Sequence, residues 1–208
     1  MHTTGRTFWV LYQDHKEPVL VDDVGDEQSA QRDNALKHVR DWNACIDIGS
    51  NVGQWTRPLV ERFERVICFE PNPVFRECFL KNIPRDRVEL FPYGLSNHIH
   101  TATQAPNSTH LNDVLGDTAP RPGDIECRPL DSFGFTGIDF IKIDVDGFEV
   151  PLLEGAMETL RNNTAVINIE MKRRKRPEIC SKAQTILESL GYRQVSRVRS
   201  DEVWLKSL

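Results

Sequence analysis

The sequence offers little that would suit a membrane, a secretory route or a polyanion. No apolar run approaches the roughly 20 residues of a spanning helix, so no segment is expected to cross a bilayer. Residues 1–14 lack a basic stretch followed by an apolar one. No signal peptide is expected there, and a cytoplasmic location is. The five cysteines, Cys45, Cys68, Cys78, Cys127 and Cys180, are odd in number and form no C-x-x-C pair. That excludes a disulfide framework and the usual zinc sites, and leaves buried free thiols in a reducing compartment. The formal net charge is −5, which excludes a generally basic surface for nucleic acid. Internal repeats and low-complexity tracts are absent as well.

What is present is a chain of 208 residues, 39% hydrophobic and 27% charged. These values fit a single globular domain over residues 1–208 with a sizeable core. Residues 7–21 read as two short strands around a polar turn, and 26–40 as a helix. From residue 44 strands and helices alternate. Strands are expected at 44–48, 65–69, 88–91, 138–143 and 165–169, helices at 52–65, 74–82, 149–162 and 178–190. Repeated βα units predict a mostly parallel sheet with helices on both faces, a doubly wound Rossmann-like α/β fold. Residues 192–198 and 202–206 flank a short polar turn with no helix between. They read as an antiparallel hairpin that completes a seven-stranded sheet. The stretch 105–124 is rich in Pro, Gly, Asn, Asp and Thr, and its length predicts a mobile lid or acceptor loop.

The strongest local signal is Asp47-Ile48-Gly49-Ser50-Asn51-Val52-Gly53, between a strand and an expected helix. Gly49 permits a sharp turn, and Gly53 permits the helix to start close to a ligand, with free N–H groups offered to a carboxylate or phosphate. The dinucleotide fingerprint needs glycines at positions 0, 2 and 5. Counted from Gly49, those positions hold Asn51 and Gln54, so that fingerprint fails. Asp47 at the strand end suits the ammonium of an amino-acid moiety, as in S-adenosylmethionine, better than a pyrophosphate. Glu70 follows 21 residues after Gly49, where an acidic side chain can take ribose hydroxyls.

These motifs resemble those of the FkbM-family methyltransferases. The resemblance rests on 46–53, on Phe69-Glu70-Pro71-Asn72-Pro73 and on Gly94-Leu95-Ser96-Asn97. It is strongest at 138–149, continues through Leu153-Glu154-Gly155-Ala156, and ends at Ile169-Glu170. The family usually has Glu where this chain has Asp146. The resemblance implies S-adenosylmethionine as methyl donor and O-methylation of a hydroxyl on a sugar, glycan or secondary metabolite. It implies cofactor contacts at Asp47, Gly49, Ser50, Asn51, Gly53, Glu70, Pro71, Gly94 and Leu95. The closing antiparallel hairpin fits the common methyltransferase fold, since the dinucleotide-binding fold ends on parallel strands.

A second constellation follows. Lys142 and Asp144 alternate with Ile141, Ile143 and Val145 on a strand expected to be buried on both faces. A buried lysine needs a partner, so a structural Lys142–carboxylate pair is one reading. Asp144 falls at the carboxyl end of a central strand, with Asp146, Glu149 and Glu170 on the same edge. Asp144, Lys142, Glu170, Asp146 and Glu149 are therefore the catalytic candidates. A carboxylate here can act as general base, hydrogen-bond sugar hydroxyls, or share a divalent cation such as Mg²⁺ or Mn²⁺. Glu149, at a helix start, can equally serve as a cap. Two alternatives stand beside this reading. The basic run Lys172-Arg173-Arg174-Lys175-Arg176 would suit an RNA ribose 2′-O-methyltransferase. A non-catalytic S-adenosylmethionine-binding module would need no carboxylate cluster.

Overall fold

A computed structural model describes residues 7–10, 18–22, 25–103, 112–113 and 124–206. A short antiparallel pair comes first, β1 (Phe8–Val10) with β2 (Val19–Val21), followed by α1 (Ser29–Leu36). Alternation begins with β3 (Ala44–Ile48), α2 (Thr56–Leu59), β4 (Arg65–Phe69), α3 (Pro73–Asn82) and β5 (Glu89–Phe91). Four short strands interrupt it: β6 (Gly94–Leu95), β7 (His100–Thr103), β8 (Asn112–Asp113) and β9 (Asp124–Arg128). It resumes with β10 (Phe140–Ile143), α4 (Glu149–Glu154), α5 (Met157–Asn162), β11 (Val166–Glu170) and α6 (Pro177–Ser189). The last elements are β12 (Tyr192–Val198) and β13 (Asp201–Lys206).

The main sheet has seven strands in the order β12-β13-β11-β10-β3-β4-β5. The five strands from β11 to β5 are parallel, and β13 lies antiparallel between β11 and β12. This is the Rossmann-like α/β sheet with its closing hairpin that the sequence predicts. The order runs outward from β3 to β5 on one side and from β10 through β11 and β13 to β12 on the other. The reversal between β3 and β10 is the switch point, and ligands bind open sheets of this kind beyond the carboxyl ends there.

Alternation along each strand distributes the core over two faces. Ile46, Ile48, Ile141, Ile143, Ile167 and Ile169 pack with Leu152, Leu160 and Leu187 on one face. Cys45, Val66, Cys68, Phe140 and Val166 pack with Leu36, Leu59, Phe63 and Phe79 on the other. All five cysteines are free and buried, as composition suggests. No helix among the described residues is long and apolar enough to cross a membrane.

Several expected boundaries require correction. The helix expected over 52–65 is the single turn α2. Gly49, Asn51 and Gly53 have φ values of 75, 50 and 92°, so the chain is still turning where a helix was expected. The helix expected over 149–162 is two, α4 and α5, separated at Gly155 and Ala156. The sequence gives no element for 94–103, yet Gly94–Leu95 and His100–Thr103 enter a second sheet of order β6-β9-β7-β8. Its strands are short and mostly polar, and only Ala102, Ile125 and Cys127 form their buried cluster. So brief a period of two gives no readable signal. Asn112 and Asp113 pair with β7. The rest of the expected lid, residues 105–111 and 114–123, lies outside the described residues, as does the turn at 11–17.

The break at Gly155 has a packing cause. A Cβ there would lie 1.9 Å from the Ser96 carbonyl oxygen, which is backbone and cannot swing aside. Gly155→Ala should therefore cost at least about 1–3 kcal/mol of stability, the usual range for overpacking. Urea denaturation checks this. An unchanged midpoint would show that the Ser96 segment is not held against α4.

Candidate active site

The loop after β3 is clasped to the end of β4. Gly49 N and Ser50 N both donate to the Phe69 carbonyl, at 3.0 and 3.1 Å. Asn51 N donates to Glu70 Oε2 at 2.8 Å, Val52 N to Asn51 Oδ1 at 2.7 Å and Gly53 N to Ser50 O at 2.9 Å. The amides of residues 49–53 are thus used inside the protein. This corrects the expectation that they are free for a carboxylate or phosphate, because the helix starts only at Thr56. Gly53 also differs from expectation. Its missing Cβ makes room for Ile83 Cγ1, 2.8 Å from where that atom would sit, so Gly53 serves packing on the α3 side. At Gly49 a Cβ would lie 1.9 Å from the Asp144 carbonyl oxygen. Glycine here lets the loops after β3 and β10 touch.

Glu70 is buried, and its two oxygens accept from Asn51 N and Asn72 N, each at 2.8 Å. Further lone pairs remain for hydroxyl donors. Asn72 also caps α3, its Oδ1 accepting from Val74 N at 2.9 Å, and Arg76 Nη1 donates to the Glu70 carbonyl at 2.9 Å. Burial pushes the Glu70 carboxyl up to about 7, against the two backbone donors and the charges of Lys142 and Arg76.

Lys142 is buried beneath the opposite wall. Its Nζ donates to the Gly49 carbonyl at 2.8 Å and lies 3.5 Å from Asp47 Oδ1 and 3.7 Å from Asp144 Oδ2. Burial alone would lower its pKa. The carboxylates of Asp47, Asp144 and Asp201 outweigh that and raise it, so Lys142 stays charged. Asp47 is fully buried, and Thr56 Oγ1 donates to its Oδ2 at 2.6 Å.

The other carboxylates gather across β10 and β11. Glu170 pairs with Lys172 Nζ at 2.7 Å and accepts from Ser200 Oγ at 3.2 Å. Burial first, then the Asp144 charge, push Glu170 up to about 7. Asp146, at φ 51°, pairs with Lys172 and lies 3.8 Å from Arg176. Glu149 accepts from Gly147 N at 3.0 Å and so braces the turn before α4. Burial raises its pKa, against Gly147 N and the Arg176 charge.

One cavity of about 360 Å³ joins these groups. Gly49, Ser50, Asn51, Glu70, Pro71, Gly94 and Leu95 of the expected cofactor set line it. Lys142, Asp144 and Asp146 of the expected catalytic set line it too. Asp47, Gly53, Glu149 and Glu170 are not among the residues that line it. Sequence reasoning missed Asn72, whose capping role before Pro73 was readable. It also missed Arg76, and the lining residues Val10, Tyr93 and Phe148, which only tertiary packing brings there. The run 172–176 is largely consumed by carboxylates. Arg173 makes a two-pronged pair with Glu202, at 2.5 and 2.8 Å. Lys172 and Arg176 face Asp146. Only Arg174 and Lys175 of the five are exposed.

Comparison with known proteins identifies the family. Residues 47–194 match the methyltransferase FkbM domain, and the chain belongs to that family. It is 27% identical to the 2-O-methyltransferase NoeI of Sinorhizobium fredii over 140 residues, covering 55% of this chain and 58% of that protein. A methyltransferase FkbM of Methylobacillus flagellatus superposes with a TM-score of 0.61 at 20% identity, over 81% of this chain and 45% of that one. A precorrin-6y C5,15-methyltransferase of Geobacter metallireducens superposes with a TM-score of 0.54 at 12% identity, over 96% and 93%. The chain thus spans about half the length of the first two, and the structural likenesses establish the fold.

Glu70 makes stability depend on pH in an unusual direction. Its folded pKa of about 7 lies above the ordinary 4.5, so the folded state holds the proton more tightly. The contribution is fully present below about 4.5 and is lost as pH rises through about 7. A shift of this size corresponds to at most on the order of 3 kcal/mol. Urea midpoints of the unliganded chain should fall between pH 5 and 7.5, and Glu70→Gln should shrink that fall. A slope unchanged by the substitution would remove Glu70 as its source.

Proposed function

We propose that the chain transfers the methyl group of S-adenosylmethionine to a hydroxyl of a sugar-type or secondary-metabolite acceptor. The observation that carries this reading is the single cavity in which Glu70 and the glycine loop face Asp144. The residues fit the donor. Glu70 offers paired oxygens to ribose hydroxyls, Gly94 and Leu95 line the same space, and no free amide of 49–53 is left for a pyrophosphate. When bound, S-adenosylmethionine supplies an already activated methyl group, so the protein has to align the attacking oxygen and take its proton.

Asp144 is the group placed to take that proton. It lines the cavity, with its side chain 26% exposed, against 15% for Glu170 and 0% for Asp47. Glu170 stands beside it, its own carboxyl pushed up to about 7 by burial first and then by the Asp144 charge. Lys142 is charged and therefore no base. It fixes Asp144 and the Gly49 carbonyl in one geometry. The name of the NoeI relative supports attack by a hydroxyl oxygen. The inward pairing of the basic run leaves little to support an RNA acceptor.

Asp144→Asn should lower transfer at least ~100-fold, the low end for one general base, with little change in binding of the demethylated cofactor by calorimetry. Gly49→Val should abolish that binding, since its side chain would meet the Asp144 carbonyl. In the parent chain the rate should rise with pH through about 7, as Glu170 beside Asp144 loses its proton. Fully active Asp144→Asn protein would rule this residue out as the base. Binding of NAD with none of S-adenosylmethionine would end the whole reading.

A further inference from the structure

The basic run has a member that the proposed chemistry leaves unused. Lys172 turns away from solvent because its carbonyl accepts from Lys175 N at 2.9 Å and Arg176 N at 2.8 Å, closing a tight turn. Its Nζ then reaches Glu170 Oε2 at 2.7 Å and pairs with Asp146. Asp144, Asp146 and Glu170 can each bring one oxygen within 4.8 Å of the others. Oxygen ligands so spaced suit a divalent cation. Here, however, two of the three are already held by an ammonium, and Arg176 stands 3.8 Å from Asp146. A divalent ion among these oxygens would sit beside two fixed positive charges, at a Coulombic cost that grows as the site is dehydrated.

We propose that Lys172 is the resident cation of this carboxylate cluster, standing where a divalent metal would otherwise bind and positioning Asp146 and Glu170 around Asp144. The chain's methyl transfer is then metal-independent, a clause that rests on the function proposed above. The assignment has a chemical consequence. An ammonium positions carboxylates but cannot accept a lone pair from an acceptor hydroxyl as a metal does. Acidification of the hydroxyl is thereby denied to the cluster, and a carboxylate must take the proton. It also explains why Asp146 tolerates a left-handed backbone, since its side chain is anchored from two sides. Lys172 acts through other residues and is a positioning residue.

The test combines a metal-binding measurement with an assay. Mn²⁺ binding is followed by electron paramagnetic resonance on the parent chain and on Lys172→Met, Lys172→Arg and Lys172→Met/Asp146→Asn, each checked by thermal melting. The parent and Lys172→Arg should bind no Mn²⁺ at this cluster. Lys172→Met should bind it with about millimolar affinity or tighter, and the added Asp146→Asn should abolish that. Transfer by the parent should be indifferent to a chelator. It should fall by roughly tenfold or more in Lys172→Met, as for supporting residues around other sites, and largely recover in Lys172→Arg. Mn²⁺ bound by the parent together with chelator-sensitive transfer would overturn the proposal. So would Lys172→Met protein that binds no Mn²⁺ and transfers at the parent rate. If no chain transfers a methyl group at all, the function falls, and the Mn²⁺ measurements alone decide the role of Lys172.

Discussion

The site depends on one buried ammonium. Lys142 projects from the middle of the sheet at 3% exposure, with Asp47 directly across on β3 and Asn168 across on β11. Taking such a charge out of water costs several kcal/mol unless partners surround it. The partners therefore have to be where they are. Asp47 compensates from below, Asp144 from the cavity side, and the Gly49 carbonyl supplies a hydrogen bond. Because one ammonium touches the loop after β3 and the residue after β10, the Gly49 side and the Asp144 side of the cavity share a reference point. The contact of Gly49 with the Asp144 carbonyl makes the same demand in steric form.

Charge compensation then continues outward. Asn168 donates to Asp201 Oδ1 at 3.0 Å, Ser200 reaches Glu170, and Lys172 holds Glu170 and Asp146. The hairpin β12–β13 thus contributes directly behind the site as well as completing the sheet. Buried pairs of this kind are poor evidence for net stability, since desolvation offsets most of their attraction. Their effect here is geometric. They fix which carboxylate faces the cavity, and they keep the cluster from carrying its full negative charge near neutral pH.

The alternation of strands and helices was legible because each parallel strand is a short apolar run bounded by turn residues, as at 44–48 and 165–169. The glycine loop and Glu70 were legible because close packing of backbone on Asp144 and of Ile83 on Gly53 restricts residue type at fixed spacing, with an acid following at the end of the next strand. The second sheet was not, since His100-Thr101-Ala102-Thr103 buries only one side chain. Nor was the inward turn of Lys172. A run of five cations looks like a solvated or polyanion-facing loop, and nothing local distinguishes the one that reaches carboxylates on two other segments. The surroundings of Asp47 were hidden for a similar reason. An acid at a strand end before a glycine loop suits an ammonium, and tertiary packing sets the Lys142 ammonium 3.5 Å from its Oδ1 and the Thr56 hydroxyl on its Oδ2.

The N-terminal pair of strands shows how a cavity can be shared between a family segment and something outside it. Residues 47–194 supply the glycine loop, Glu70 and the carboxylate cluster. Val10 and Gln28 complete the wall from outside that span. Val10 follows Trp9, which Asn82 at the end of α3 holds. Its Oδ1 accepts from Trp9 N at 2.7 Å, and its Nδ2 donates to Trp9 O at 2.9 Å and to Val52 O at 2.7 Å. An amide that satisfies both backbone groups of one residue acts as a further strand partner, so β1 is registered on α3 as firmly as on β2. The bond to Val52 ties that register to the glycine loop. Phe8 packs with Val52 and Phe75 in the same small cluster. Displacing β1 would therefore move the glycine loop as well as the cavity wall that Val10 supplies.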